Sequence, residues 1–260
     1  MPQAAAEIVT FPGDDITIEA PLFRPSGPGP FPAVIALHGC GGLYGKNGDL
    51  SPRHKDWAER LQAQGFLVLM PDSFGSRGEG SQCRERARVA RASSERIDDV
   101  LAAKAYLQSR SDVKADAVSL LGWSNGGSTV LYTLREIAGM QDGKPPFAKA
   151  IAFYPGCRSP LQKGGWKTAT PLLILIGEAD DWTPMQPCKD LAEQASRTGS
   201  APVSIVTYPG AYHDFDHPSL KVHSNEDLAY TGSGSGSAHS GTDPAAREDA
   251  LKRVPEFLAR

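Results

Sequence analysis

Short apolar segments rich in β-branched residues alternate along the chain with segments that repeat apolar residues at helical spacing. Several of the apolar segments are nearly continuous, which is typical of strands buried on both faces of a sheet. The predicted strands cover 16–23, 33–38, 66–70, 117–121, 148–154, 172–176 and 203–208. The predicted helices cover 56–64, 94–109, 128–137, 189–198 and a last segment that begins at Asp243.

This alternation predicts an α/β fold on a mostly parallel sheet of about seven or eight strands, with helices on both faces. The 260 residues are enough for one sizeable core, and we expect residues 1–260 to form a single domain. Residues 231–241 read TGSGSGSAHSG. We expect a segment of this composition to bury nothing and to form a flexible surface loop.

Charge and hydropathy argue against two classes of partner. The formal charge is −3, and the one local cluster of arginines is at 84–96, so nucleic acid is not expected as a partner. No apolar run reaches the ~18 residues that a membrane span needs. The first residues lack the basic and apolar stretches of a signal peptide, so none is expected in these 260 residues. We expect a monomer or weak homo-oligomer that acts on a small molecule.

The cysteines are Cys40, Cys83, Cys157 and Cys188, and none lies in a C-x-x-C pair of the kind that binds zinc. Four cysteines allow three disulfide connectivities. The pairs Cys40–Cys83 and Cys157–Cys188 are favoured, because each joins loops expected to meet at one end of the sheet. Each bridge would add roughly 3.5–4 kcal/mol of stability and would indicate a periplasmic or secreted protein. Four free thiols in a cytoplasmic protein are the alternative.

The segment 122–127 reads GWSNGG and lies between an apolar strand and a helix-compatible stretch. Strand, G-x-S-x-G and helix in this order are typical of a nucleophile elbow, the strained turn that exposes a serine hydroxyl in α/β hydrolases. Gly122 and Gly126 would remove the clashes that a Cβ would cause there. Ser124 is therefore the candidate nucleophile. A glycine-rich turn around an inert serine is the alternative.

A serine nucleophile needs a base, and the base needs an orienting carboxylate. After the predicted strand 172–176 the chain places Asp180, and after 203–208 it places His213. Acid and then histidine is the order found in α/β hydrolases, and the carboxyl ends of parallel strands meet at one edge of the sheet. We assign Asp180 as the orienter and His213 as the base. Asp181 is the alternative acid or a cap for the following turn, and a surface histidine is the alternative for His213.

An acyl-transfer intermediate needs two backbone donors for its oxyanion. The amide of Asn125, directly after the serine, is expected to supply one. The segment 38–42 reads HGCGG and is similar to the H-G-G-G loop of esterases, so the amide of Cys40 is expected to supply the other.

With these motifs in place, the chain resembles the dienelactone hydrolase family of the α/β hydrolases from about residue 16 to residue 260. The matching pieces are 38–42, 71–78, 122–127, 152–156, the GEAD at 177–180 with Pro184 four residues after the aspartate, and 211–213. The spacing from aspartate to proline in the family favours Asp180 over Asp181. By resemblance, Arg77 falls near an arginine that binds the substrate carboxylate in the founding enzymes.

The chain also departs from the founding enzymes at three positions. They use a cysteine where this chain has Ser124, and they carry a glutamate where it has Gly39. Their second carboxylate-binding arginine would fall near His217. The resemblance therefore implies a serine esterase mechanism on the same scaffold, in a branch whose paired cysteines are typical of export.

Five residues are candidates for substrate binding. An apolar acyl or aryl pocket could be lined by Trp123, Phe74, Tyr44 and Trp182, with core packing as the alternative. Arg77 could bind a carboxylate, or form an ion pair with Asp72 or Glu79 instead.

Two other functions stay open. The segment 213–217 reads HDFDH and places His213 and His217 four residues apart with two carboxylates between them, which allows a metal-dependent hydrolase. The pattern is not H-E-x-x-H, so no metal is assigned. Dinucleotide and phosphate-binding glycine motifs are missing, so no cofactor is expected. A non-catalytic binding module is the second alternative, because a fold does not determine a function.

Overall fold

In a computed structural model, residues 6–136 and 146–259 of the protein are described. An eight-stranded sheet has the order β1-β2-β4-β3-β5-β6-β7-β8. β1 and β2 are antiparallel, β2 is also antiparallel to β4, and the other pairings in this sheet are parallel. The strands are β1 (Glu7–Pro12), β2 (Thr17–Phe23), β3 (Phe31–Leu37), β4 (Leu67–Leu69), β5 (Val113–Trp123), β6 (Ala150–Phe153), β7 (Leu172–Gly177) and β8 (Val203–Tyr208).

Helices connect the parallel strands, and a small two-stranded sheet follows β8. The helices are α1 (Pro52–Ala63), α2 (Glu95–Gln108), α3 (Asn125–Leu134), α4 (Arg158–Gln162), α5 (Gln186–Ser196) and α6 (Pro244–Ala259). The small sheet pairs β9 (His223–Asn225) with β10 (Ala238–Ser240). The predicted α/β fold with a mostly parallel sheet is confirmed. Ile137, the last residue of the third predicted helix, lies outside the described residues.

Burial of the central strands explains why their sequences are continuously apolar. Every residue of β6 and β7 is buried. Since successive side chains on a strand point to opposite faces, both faces of the sheet are covered there. The first strand, β1, was not predicted, because its alternating pattern with polar residues is that of a half-exposed edge strand.

The parallel strands also decide where loops meet. β3, β5, β6, β7 and β8 are neighbours that run in the same direction. Their carboxyl ends therefore share one edge of the sheet, where ligands bind in open α/β sheets. The segments that follow β3, β5, β7 and β8 carry Cys40, Ser124, Asp180 and His213.

The structure contains both predicted disulfides, Cys40–Cys83 and Cys157–Cys188. This pairing is compatible with a periplasmic or extracellular protein. Within the described ranges, we find no helix long and apolar enough to cross a membrane.

The expectation that residues 231–241 bury nothing is wrong. Ala238 is fully buried and Ser240 nearly so, and β10 pairs with β9. The amide of Gly241 donates to the carbonyl of His213 (2.8 Å), and the amide of Gly232 donates to Asp181 (3.1 Å). Small residues allow this segment to pack closely rather than leaving it unattached, so it forms a wall beside the loops of the sheet edge.

Candidate active site

Ser124 occupies a strained turn between β5 and α3. Its backbone has φ 53° and ψ −112°, a conformation that residues other than glycine rarely adopt. A Cβ on Gly126 would lie 2.2 Å from the carbonyl oxygen of Leu37, and one on Gly122 would lie 2.4 Å from the carbonyl group of Gly126. The two glycines therefore allow the close approach of strand, turn and loop that the G-x-S-x-G pattern predicted.

Asp180 and His213 form a buried hydrogen-bonded pair. Oδ2 of Asp180 lies 2.8 Å from Nδ1 of His213, and both side chains are almost completely buried. Oδ1 of Asp180 accepts the backbone N–H groups of Trp182 (3.0 Å) and Thr183 (2.8 Å). Asp180, rather than Asp181, thus caps the turn that follows it.

Asp181 faces another partner. Its carboxylate accepts the backbone N–H and contacts Nδ1 of His239 on β10, both at 2.8 Å. The two adjacent aspartates therefore have different partners: Asp180 pairs with His213, and Asp181 binds the segment 231–241 that forms the wall.

The imidazole of His213 is enclosed by aromatic rings and by Asp180. The rings of Tyr154 and Trp182 lie 4.4 and 4.8 Å from it, measured between centroids. Burial lowers the pKa of His213, but the charge and hydrogen bond of Asp180 raise it by more, so that its pKa lies above the ordinary value. Asp180 is the hydrogen-bond partner of Nδ1. The other ring nitrogen, Nε2, has no hydrogen-bond partner among the described residues.

A cavity of about 230 Å³ opens in front of Ser124. Both proposed oxyanion residues, Cys40 and Asn125, line it. The glycine-rich loop passes beside the serine, since a Cβ built on Gly39 would lie 3.5 Å from the Cβ of Ser124. The remaining wall comes from the segment after β6 and the start of α4 (Gly156, Cys157, Arg158, Ser159), from the loop after β7 (Trp182, Thr183, Pro184), and from Arg88, Ser128, Pro187, Tyr230, Thr231 and Gly232.

Of the substrate-binding residues expected from the sequence, Trp182 lines this cavity, whereas Arg77, Trp123, Phe74 and Tyr44 do not. Arg77 donates to both carboxylate oxygens of Asp99 (2.9 Å each), so its partner is neither a substrate nor the expected Asp72 or Glu79. Trp123 is completely buried, because it is the last residue of a strand covered on both faces. Tyr44 lines a different cavity, beside β2 and α1.

The HDFDH segment uses its carboxylates within the protein. Asp214 forms an ion pair with Arg53. Asp216 is completely buried and accepts hydrogen bonds from Trp57 (2.7 Å), Trp123 (2.8 Å) and the hydroxyl of Tyr154 (2.6 Å). Among residues 6–136 and 146–259, no group of three or more histidine, cysteine, aspartate or glutamate side chains has a metal-binding arrangement.

Sequence reasoning missed Thr183. Its hydroxyl oxygen lies 3.0 Å from Oδ2 of Asp180, 3.1 Å from Nδ1 of His213 and 2.9 Å from the carbonyl of Tyr154. A threonine three residues after an aspartate is a signal for a local side-chain turn, and it could have selected Asp180 over Asp181 from the residues alone.

Comparisons with known proteins identify the family of the chain. The family model of the dienelactone hydrolase family matches residues 18–260. A protein of Synechocystis sp. with the provisional name carboxymethylenebutenolidase is 27% identical over 223 residues, which are 80% of this chain and 85% of that protein. A Bradyrhizobium protein, provisionally named 2-oxo-3-(5-oxofuran-2-ylidene)propanoate lactonase, is 29% identical over 214 residues, or 75% of this chain and 77% of that one.

The fold also matches solved structures. Esterase 2 of Thermogutta terrifontis superposes with a TM-score of 0.67 at 18% identity, covering 100% of this chain and 96% of that one. The family match extends over nearly the whole sheet and over all the loops at its carboxyl edge. The chain therefore belongs to the dienelactone hydrolase family and is a carboxylic-ester hydrolase.

Proposed function

We propose that Ser124, His213 and Asp180 form a catalytic triad that cleaves esters or lactones through an acyl-enzyme. The observation that carries the proposal is the buried pair of Asp180 and His213, which leaves Nε2 as the ring nitrogen available to a serine. Ser124, held in a nucleophile turn at the same edge of the sheet, lines the cavity that a substrate would enter.

The reaction would proceed in two halves. Nε2 of His213 takes the hydroxyl proton of Ser124 as its oxygen attacks the carbonyl carbon, and Asp180 stabilises the imidazolium through Nδ1–H. The amides of Cys40 and Asn125 donate to the oxyanion. The leaving alcohol takes the proton from Nε2, and water, activated by His213, then releases the acid from Ser124.

The charge of the cavity supports a substrate that carries a carboxylate. Arg88 and Arg158 are the charged side chains that line it, and neither forms an ion pair within the described residues. Arg88 is partly buried, which lowers its pKa, and lies over the ring of Tyr230 at 5.0 Å. A bound anion would compensate this charge. The names of both curated relatives denote lactones that bear an acidic group.

The triad is tested by Ser124→Ala, with Ser119→Ala as the matched control. Ser119 is a buried serine on β5, the strand that leads to the nucleophile turn, and lies five residues before Ser124. We expect Ser124→Ala to lose about 10³-fold or more of kcat with p-nitrophenyl acetate, and labelling by a fluorophosphonate probe to disappear, because the nucleophile is gone. Ser119→Ala should keep both. Turnover that survives in Ser124→Ala would reject the proposal.

The charge preference is tested with two phenyl esters that differ only in a terminal carboxylate on the acyl chain. We expect Arg88→Met and Arg158→Met to raise KM for the acidic ester alone, by about tenfold each, since a charge-assisted hydrogen bond contributes on the order of 1.5–3 kcal/mol. Equal KM changes for both esters would reject an anion subsite and leave the triad proposal intact.

The two disulfides further support a periplasmic or secreted location. Fractionation of the native host is the test, and recovery of the protein with four free thiols from the cytoplasm would contradict it.

A further inference from the structure

Arg96, near the start of α2, is completely buried and takes no part in the proposed chemistry. One terminal nitrogen of its guanidinium donates to Oδ1 of Asn125 (2.5 Å), and the other donates to the carbonyl of His38 (2.8 Å). The group also lies over the ring of Phe74 at 5.2 Å. Arg96 therefore connects the first residue of α3 to the residue that follows β3.

The two segments joined by Arg96 are those that carry the proposed oxyanion donors. Asn125 supplies one amide, and the segment His38–Gly39–Cys40 supplies the other. His38 and the nucleophile turn are in tight contact, since a Cβ on Gly126 would lie 2.6 Å from the His38 carbonyl oxygen. A change in the position of that carbonyl would alter the spacing between the two amides.

The orientation of the Cys40 amide is fixed by a second hydrogen bond in the same cluster. Nδ1 of His38 lies 2.8 Å from the carbonyl oxygen of Gly39, and because a carbonyl can only accept, Nδ1 carries the proton. The peptide unit between Gly39 and Cys40 is planar, with its C=O and N–H on opposite sides. The Cys40 N–H therefore points away from the His38 ring.

Burying Arg96 is unfavourable for folding. Burial lowers its pKa to about 9, although the nearby Asp99 carboxylate opposes this change. Both oxygens of Asp99 already accept hydrogen bonds from Arg77. A guanidinium whose pKa is lowered in the folded state carries a desolvation cost at neutral pH, which its hydrogen bonds to Asn125 and to the His38 carbonyl oppose.

We propose that Arg96 is a positioning residue for the oxyanion hole: its contacts with Asn125 and with the His38 carbonyl set the separation of the Asn125 and Cys40 amides. This inference rests on the proposed serine mechanism. Its signature is a loss of kcat without a change in KM, because the geometry of the two donors matters most in the transition state.

The experiment compares Arg96→Met, Arg96→Lys, Asn125→Ala and the double variant Arg96→Met/Asn125→Ala. Asn125→Ala removes an acceptor of Arg96 but keeps the backbone donor. We expect Arg96→Met and Asn125→Ala each to lower kcat about 10- to 100-fold with KM within twofold, as a displaced catalytic group does. The double variant should lose little more than either single variant, and Arg96→Lys should recover part of the kcat because an ammonium reaches one acceptor.

Binding of phenylboronic acid supplies a second readout, because the tetrahedral adduct places an oxygen in the oxyanion hole. Its affinity should fall in parallel with kcat/KM across the series. Arg110→Met is the control: Arg110 is partly buried and pairs with Asp112, remote from the cavity lining, so kcat should not change.

Several outcomes would overturn the inference. Unchanged kcat per fluorophosphonate-titrated site in Arg96→Met, together with a lower melting temperature, would make Arg96 a structural residue only. If Arg96→Met does not fold, unchanged kcat in Asn125→Ala would reject the inference instead. If Ser124→Ala loses activity while Arg96→Met and Asn125→Ala keep it, only this inference is rejected. If Ser124→Ala keeps full activity, the serine mechanism is rejected and the inference with it.

Discussion

Removing each disulfide in turn distinguishes what the Cys40–Cys83 bridge contributes to stability from what it contributes to catalysis. The bridge closes a loop with a sequence separation of 43 residues, and Cys157–Cys188 closes one of 31. Loop-closure entropy at 25 °C then gives losses of about 4 kcal/mol for the first bridge and about 3.7 kcal/mol for the second. The double variants Cys40→Ser/Cys83→Ser and Cys157→Ser/Cys188→Ser should therefore be destabilised almost equally.

Their effects on catalysis should differ. The amide of Gln82 donates to the Cys40 carbonyl (2.8 Å), and the Cys83 carbonyl accepts the amide of Ala229 (3.0 Å) next to the cavity wall. The bridge therefore holds the loop with the Cys40 amide against residues that surround the cavity. We expect Cys40→Ser/Cys83→Ser to lower kcat about tenfold or more, since small displacements of a catalytic group cost up to ~10²-fold.

Cys157 lines the cavity directly before α4, in a segment that carries neither proposed oxyanion donor, so loss of its bridge should act on KM. Urea unfolding gives the free energy of each variant, and kcat and KM are measured at urea-free conditions where both are folded. Stability losses below ~1 kcal/mol would refute the entropy argument. Equal changes in kcat and KM for the two variants would refute the link between Cys83 and the oxyanion loop.

Two further predictions concern buried charges. Because the pKa of His213 is raised above 6.5, kcat/KM should fall as the pH decreases through a value above 6.5, where the base becomes protonated. Asp180→Asn should move this acidic limb to lower pH, since the charge that raises the pKa of His213 most is lost while the lowering effect of burial remains. A pH–rate profile with no such movement would contradict the pairing. Arg77→Met leaves the buried Asp99 carboxylate without its partner, so we expect a loss of about 3 kcal/mol in urea unfolding. KM for acidic and neutral esters should not change in Arg77→Met, whereas a higher KM for the acidic ester would restore Arg77 as a binding residue.

The sheet and the location of the site could be predicted because they depend on local signals. Strands such as β7 are apolar at every position, a pattern that surface helices and loops of an α/β chain do not share. The glycines at 122 and 126 are required by contacts within one turn. Asp180 and His213 then follow from strand order, because parallel strands bring their carboxyl ends to one edge.

Beyond Trp182 and the residues of the proposed chemistry, the lining of the cavity could not be predicted, because closeness in sequence does not give direction in space. Trp123 precedes the nucleophile, yet it belongs to a strand and its side chain enters the core. Arg77 pairs with an aspartate 22 residues away on α2, and only the packing of that helix makes this pair possible. Arg88 and Tyr230 are 142 residues apart and meet at the cavity through their cation–π contact.

Composition was also a poor guide to residues 231–241. Glycine and serine suggested a flexible segment, but a Cβ on Gly232 would lie 2.4 Å from Pro184, and one on Gly241 would lie 2.5 Å from Val222. Here the absence of a side chain serves close packing rather than flexibility. The segment could therefore reach Asp181 and the His213 loop and complete the cavity wall.

The two carboxylates that follow His213 connect the loop of the proposed base to the protein core. Asp216 is fully buried, and its two carboxyl oxygens accept three hydrogen bonds, from Trp57, Trp123 and Tyr154. A buried carboxylate is costly unless donors of this kind surround it, so the three hydrogen bonds of Asp216 favour this position of the loop. Asp214 is fixed in the same way by Arg53. The two carboxylates that suggested metal ligands therefore act as anchors, which hold the proposed base where Asp180 can orient it.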